Sequence, residues 1–483
     1  MNTVKPMTLI PLALNLRCTR LTTAIGAVLL ASGCASNFNG PYQAPALTVP
    51  AQYSQASAAA VANADAAVPA SLGGLWWTRF NDPELDRLVA DVLQRNNNLA
   101  AAAIRVRRAQ LLAGLVDNNL QPRFGGNLDT GAKLPLEAGA VTTRSNSVSL
   151  SAAYEIDLWN RLGSLRDVAR WEALATEQDR QSAALALVGT TAALYWQVGF
   201  LNQRLAANAQ SIAYAQTTFD LVQTQYRAGA VSGLEVAEAQ QTLASQQASQ
   251  SALLQLAFEA RTALALLFDG PSGTSLSNPA TLPVLTLPAL NAGVPAALLG
   301  RRPDLRAAEL RLRGTFTGID AARASYYPAL SLTGSLGSSS AQLSNVLQNP
   351  VGTLGLGMTL PFLQRTAMQL TILGSEAQYE EAVVNFRQTL YTALGDVENA
   401  LSSRQQLAQQ SLRLEETLQA ARTAERLYEI RYRAGAATLK LWLDAQEKRR
   451  LADIALAENR LARLNNQVVV YQALGGDAAV TSP

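Results

Sequence analysis

From Leu187 onward, apolar or small residues return in alternating steps of four and three. They run through Thr191, Leu194, Val198, Leu201, Leu205, Asn208, Ile212, Ala215, Phe219 and Val222 to Tyr226. This is the spacing of a coiled-coil seam and not of a strand. Leu185, Val188, Ala192 and Tyr195 form a second seam beside the first. A helix with neighbours on both sides belongs to a ring of helices. No proline interrupts the stretch from about Gly163 to Ala228, which predicts a helix roughly 100 Å long at ~1.5 Å rise per residue. Gly229 and Gly233 then mark a helix end and a reversal, and a second helix is expected from about Leu234 to Phe268.

Elsewhere the period is two. Val148, Leu150, Ala152, Tyr154 and Ile156 alternate with Ser147, Ser149, Ser151, Ala153, Glu155 and Asp157; Leu354, Leu356, Met358 and Leu360 alternate with Thr353, Gly355, Gly357 and Thr359. Each run predicts a strand apolar on one face. Shorter candidates, about Arg123 to Gly131 and Ala329 to Gly337, precede them. Strands of ~10 residues have the length of a tilted transmembrane strand. Four strands cannot close a barrel, and lipid does not tolerate an open edge, so the missing strands have to come from other subunits. Three chains would supply twelve; the pattern alone does not set that number.

The two patterns each occur twice because the chain repeats. Tyr226-Arg-Ala-Gly-Ala230 returns as Tyr432-Arg-Ala-Gly-Ala436, an offset of 206 (432 − 226), and Ala239-Gln240 returns as Ala445-Gln446 at the same offset (445 − 239). The offset also carries Gln121-Pro122 onto Tyr327-Pro328 and Gly270 onto Gly476. One structural unit is written twice. The second seam is less regular, with Arg404 and Glu425 where apolar residues would continue it.

Composition adds an address. Lys5, Arg17 and Arg20 come with no acidic residue and precede the apolar run Leu21 to Leu30 and then Ala31-Ser32-Gly33-Cys34. The run is too short to span a membrane and reads as a secretory signal ending in a lipobox, with Cys34 as the acylated residue and outer membrane lipid as its anchor. Ala31 stands where a lipobox usually has Leu. Ala35 after the cysteine favours the outer membrane. Removing the signal takes three of the 39 basic residues, leaving 36 against 36 acidic ones. A mature chain of zero net charge gives no basic patch and no nucleic-acid partner. The chain's two cysteines are Cys18 and Cys34, so no disulfide forms within the mature protein.

The resulting division is a signal over 1–33, an anchored arm over 34–75, a first repeat over 76–277, a proline-rich linker over 278–303, a second repeat over 304–476 and a tail over 477–483. Each repeat holds a helix, two strands and a long helical hairpin. Asp82 is placed to cap a helix that has Pro83 at its first position and runs towards Pro122. Arg301, Arg302 and Asp304 read as a cap and ion-pair group at a helix start. An enzyme is disfavoured: the chain has no histidine, no catalytic constellation, no phosphate-binding glycine loop, and no metal or cofactor site.

Several stretches together resemble the TolC-like outer membrane factors, within them the OprM/NodT-type outer membrane efflux lipoproteins. They are Trp76-Trp77 with Phe80 and Asp82-Pro83, Val294 to Glu309, Arg323 to Pro328, and Tyr432-Arg-Ala-Gly435 with Leu443-Asp-Ala-Gln446. The resemblance implies an α+β membrane protein: a homotrimer with a twelve-stranded outer-membrane β-barrel, four strands per chain, continued by a long periplasmic α-helical coiled-coil barrel. It implies a periplasmic adaptor and an inner-membrane pump of RND type as partners, together exporting small toxic compounds.

It also implies a closed entrance at the hairpin tips held by inward-pointing acids. Asp444 and Glu235 match the family's acidic positions, Glu238 is the internal equivalent of Asp444 (444 − 238 = 206), and Tyr432 matches a tyrosine of the closing network. Leu441 and Ala437 stand where some members have an acid and an arginine. Arg227, Gly229, Arg433 and Gly435 mark the tips that an adaptor would contact. A ring of like charge made by three-fold repetition selects cations and repels its own members. The competing readings are the same fold serving type I protein secretion or metal export, and a structural coiled-coil lipoprotein. The last of these leaves the alternating strands unexplained.

Overall fold

The computed structural model describes residues 40–46, 48–54, 75–137, 141–269, 278–283, 287 and 295–476. Cys34 lies outside them, as do the signal and the tail.

In chain order the elements are α1 (Pro83–Arg95), α2 (Asn97–Asp117), β1 (Arg123–Lys133), β2 (Thr143–Ile156), α3 (Arg161–Arg227) and α4 (Gly233–Ala265), followed by α5 (Pro303–Ala324), β3 (Ala329–Ser340), β4 (Pro350–Thr359), α6 (Arg365–Arg433) and α7 (Leu439–Ala473). The long helices α3 and α6 have 67 and 69 residues. The chain forms two compact units, one holding the sheet with residues 109–172 and 311–383, the other holding residues 46–108, 173–310 and 384–476.

The first unit is organised by one antiparallel sheet in the order β1-β2-β3-β4. Registers Phe124↔Ala152, Leu150↔Leu336 and Leu332↔Leu356 place the even-numbered residues of all four strands on one face. That face carries Phe124, Leu128, Leu150, Leu336, Leu354 and Met358, every one of them exposed. The other face carries Ser147, Ser149, Ser151, Ser331, Thr333, Ser335, Gly355 and Gly357. The sheet is thus apolar on one face and hydroxyl-lined on the other, and among the described residues the apolar face is left exposed. Turns at its base are fixed by polar contacts: Asp157 accepts from the amides of Leu162 and Gly163, Arg161 pairs with Glu155, and Trp159 Nε1 donates to Pro328 O at 2.9 Å.

The second unit is helical. Its largest cluster joins Trp76, Trp77, Phe80, Leu85 and Val89 to Val188, Tyr195 and Trp196 of α3, Leu264 of α4 and Tyr471 of α7. Asp82 caps α1 through Glu84 N and Leu85 N, and its second oxygen accepts from Tyr195 Oη at 3.0 Å. The cap therefore also fastens α1 to α3.

The expected single helix running towards Pro122 is two helices. Asn96, buried, interrupts it by accepting from Leu99 N at 3.0 Å and donating to Leu267 O at 2.8 Å. A short polar side chain at a helix start competes with the backbone for hydrogen bonds, which restarts the helix at Asn97. Part of the arm is held against the helices. Tyr53 is buried with Leu298, Leu390 and Val397, and Ser54 donates from both its amide and its hydroxyl to Glu398 at 2.7 and 2.6 Å.

Arg302 is the polar centre of a neighbouring joint. Its guanidinium meets Asp304 at 2.7 Å and Asp396 at 3.1 Å and donates to the carbonyl of Ala473 near the end of α7. The cap and ion-pair role expected of the Arg301–Asp304 segment falls to Arg302 and Asp304.

The candidate gate at the hairpin tips

Both tips are built by the repeated Tyr-Arg-Ala-Gly segment in the same way. Gly229 and Gly435 have φ of 75° and 74°. Gly229 N donates to Tyr226 O and Ala230 N to Gln225 O, while Gly435 N donates to Tyr432 O and Ala436 N to Arg431 O. These paired bonds are a Schellman ending, which needs a left-handed residue and so selects glycine. Arg227 and Arg433 lie in the last turn and fold back on their own helices, Arg227 to Gln223 at 2.8 Å and Arg433 to Glu429 at 2.7 Å.

The returning helices start differently. Ser232 caps α4 in a full capping box: its side chain accepts from Leu234 N, and the Glu235 carboxylate accepts from the Ser232 amide and hydroxyl. The Ser232 hydrogen bond holds the Glu235 carboxyl below the usual glutamate range. Ser-x-x-Glu is a legible capping signature, so Glu235 has a local structural task besides the gate role that the family resemblance implies. In the second copy Thr438 stands at the cap without a side-chain bond and Leu441 replaces the acid.

An apolar cluster binds the two tips of one chain. Val222, Phe219 and Val231 come from the first turn region, Val236 and Ala239 from α4, and Tyr428, Tyr432, Leu439, Trp442 and Leu443 from the second hairpin. Tyr432 stacks on the buried Trp442 with ring centroids 5.1 Å apart, and Tyr214 meets the same indole edge-on at 6.1 Å. Tyr432 Oη donates to Gln225 Oε1 at 2.9 Å. Burial, with a smaller contribution from Glu235, raises the Tyr432 phenol above its ordinary value, so it stays a neutral donor.

The acids lie on the two returning helices that contribute to this cluster, Glu235 and Glu238 on α4 and Asp444 on α7. Asp444 is half exposed and pairs with Lys440 one turn earlier at 3.5 Å. Glu238 is half-buried on α4. The sequence pattern had not marked Trp442 or Gln225. A tryptophan one residue before Leu443-Asp-Ala-Gln446 was the available signal, since a large aromatic beside a reversal has to be buried against something.

Above the tip cluster the hairpins enclose a cleft of about 570 Å³ lined by residues including Arg204, Tyr214, Glu425, Arg426, Arg449 and Asp453. Glu425, which breaks the second seam, pairs there with Arg449 at 2.9 Å. The cleft is thus lined largely by charged and polar side chains.

The model of the outer membrane efflux protein family matches residues 88–269 and again 294–476. The pyoverdine export outer membrane protein OpmQ of Pseudomonas putida is 33% identical over 84% of this chain and 89% of its own. OprJ of Pseudomonas aeruginosa, an outer membrane protein, is 31% identical over 84% and 87%. The crystal structure of the open state of the MtrE outer membrane channel of Neisseria gonorrhoeae superposes with a TM-score of 0.77 at 27% identity, covering 90% of this chain and 97% of that one. With two matched copies, an exposed apolar sheet face and paired helical tips, the chain belongs to the outer membrane efflux protein family and is an outer-membrane channel component of an efflux system.

Proposed function

We propose that three copies of this chain form the exit duct of a tripartite efflux system, receiving small toxic compounds from a periplasmic adaptor and an inner-membrane pump of RND type. The observation that carries this reading is the four-stranded sheet, whose exposed apolar face suits lipid and whose two free edges need partners. Twelve strands from three copies close a barrel around the hydroxyl-lined face. The repeats over 76–277 and 304–476 supply one long helical hairpin each, and Cys34 carries the lipid anchor.

The entrance is gated at the tips. Asp444, with Glu238 and Glu235, becomes a ring of carboxylates on three-fold repetition, while Tyr432 ties neighbouring hairpins. A half-exposed Asp444 whose own-chain partner is a lysine one turn away is free to face an axis. Arg227, Gly229, Arg433 and Gly435 form the surface that the adaptor contacts, where glycine leaves the backbone open: nothing lies within 4 Å of a Cβ at either glycine.

Single-channel recording in planar bilayers tests the gate. Wild type gives small or rare current steps; Asp444→Ala gives larger steps with altered cation preference. Unchanged conductance in a correctly assembled Asp444→Ala trimer removes Asp444 from the gate, and a protein that forms neither trimer nor pore moves the scaffold reading ahead.

A further inference from the structure

The internal repeat extends to the hydrogen-bond register of the sheet. In the first repeat Arg123 pairs with Ala153 and Ala132 with Arg144; in the second Ala329 pairs with Thr359 and Ser338 with Pro350. Each second pair is the first moved by 206 (329 − 123, 359 − 153). The remaining seam, β2 to β3, joins the first repeat to the second, with Ser149↔Gly337, Ser151↔Ser335 and Ala153↔Thr333. Its counterpart, from the second repeat back to a first repeat, has no partner within the chain, because β4 and β1 are the two edges.

Moving the β2 residue forward and the β3 residue back by the repeat length gives the missing seam. We infer that β4 of one copy pairs antiparallel with β1 of the next in one register: Thr359 opposite Asn127, Gly357 opposite Asp129 and Gly355 opposite Gly131. The inference rests on the trimer reading above and adds which residues meet.

Independent features of the sheet agree with it. Every residue of β1 and of β4 is exposed, and neither edge carries the bulge or interior proline that usually blunts a free edge. The derived register sets even-numbered residues against even-numbered ones, Met358 opposite Leu128 and Leu356 opposite Thr130, so the apolar face continues across the seam. A slip of one residue would turn one strand's apolar side inward.

Among the described residues Gly131 has no close neighbour to require it: the nearest atom to a Cβ there is Ser145 Oγ at 3.9 Å. Its repeat equivalent Gly337 does have one, since a Cβ would lie 3.2 Å from Val148 O across the β2–β3 seam. The derived register places the Leu354 carbonyl of the next copy in the same position against Gly131.

A slip of two residues preserves the faces, so the test has to separate registers that differ by two. Directly opposed residues in antiparallel strands have Cα atoms ~4.5–5.5 Å apart, within disulfide reach, whereas a two-residue offset gives ~7–8 Å. The full-length protein is prepared with paired cysteines Asn127→Cys/Thr359→Cys, and with the offset pairs Asp129→Cys/Thr359→Cys and Gly125→Cys/Thr359→Cys, wild type serving as control. Each is oxidised in outer membranes with copper–phenanthroline and run without reductant. Heat-modifiable migration verifies insertion, and native mass verifies assembly.

The expected result is a thiol-reversible species of about three times the protomer mass from Asn127→Cys/Thr359→Cys, with the offset pairs linking at least tenfold less. Efficient linking of an offset pair overturns the register and leaves the trimer standing. An inserted trimer that none of the pairs links overturns the edge-to-edge seam. Inserted protein of another native mass overturns the trimer reading itself.

Discussion

The Tyr432 hydroxyl donates to Gln225 Oε1 across 2.9 Å, joining the end of α6 to the end of α3 although the two residues are 207 positions apart. The bond crosses between hairpins of one chain, so separating those hairpins at the tip breaks it. Stacking on Trp442 holds the ring in place whether or not the bond is made.

Tyr432→Phe therefore removes the tie and leaves the packing. A net loss of about 1 kcal/mol per protomer corresponds to about a fivefold shift of a two-state tip towards its open form. Bilayer recordings should show longer open times in Tyr432→Phe and Gln225→Ala, and the double variant should add little to either single one. Additive effects would mean the two side chains act separately.

At Gly435 the cost of a side chain is purely backbone, since φ is 74° and no atom lies within 4 Å of a Cβ. Gly435→Ala should lower stability by about 1 kcal/mol, and Gly435→Asn by clearly less, because asparagine tolerates the left-handed region. Thermal melts followed by helical circular dichroism check the order. Equal melting temperatures for wild type and Gly435→Ala would refute it.

The sheet faces make opposite demands. Leu356 is exposed on the apolar face, and Thr333 is exposed on the other. Leu356→Arg should cost about 2–4 kcal/mol in a bilayer and abolish heat-modifiable barrel formation, whereas Thr333→Lys should insert normally and shift ion selectivity towards anions. The reverse pattern would invert the assignment of the faces.

Arg302 links acid stability to one joint. Burial alone would raise the Asp304 carboxyl, but the Arg302 hydrogen bond and charge outweigh it and hold the group below the usual aspartate range. A depressed folded pKa stabilises above the unfolded value of ~3.9 and is lost as pH falls through the folded value. Arg302→Met should cost about 2 kcal/mol at neutral pH, less than a fully buried pair because Asp304 and Asp396 keep water contact. It should also flatten the loss of stability below about pH 4. Urea midpoints measured against pH report both effects.

Much of this was legible before any coordinates. The heptad of α3, the alternation of β2 and β4, the Asp82 cap and the glycine ends at 229 and 435 depend on residues a few positions apart. The break at Asn96 was not legible, because one capping asparagine can restart a helix without disturbing the apolar period around it. The capping box of Ser232 and Glu235 is likewise a local signal, carried by residues three positions apart.

The sequence by itself determined the periods, the repeat length and therefore the kinds and order of the elements, because those follow from steric and hydrogen-bonding preferences between close neighbours along the chain. Only the tertiary structure decided that Gln225 partners Tyr432, that Trp442 fills the tip, that Arg302 meets Asp396 and that β2 pairs with β3 in one register. Such contacts join residues far apart in sequence, and which of many chemically acceptable partners is met depends on how whole helices and strands pack.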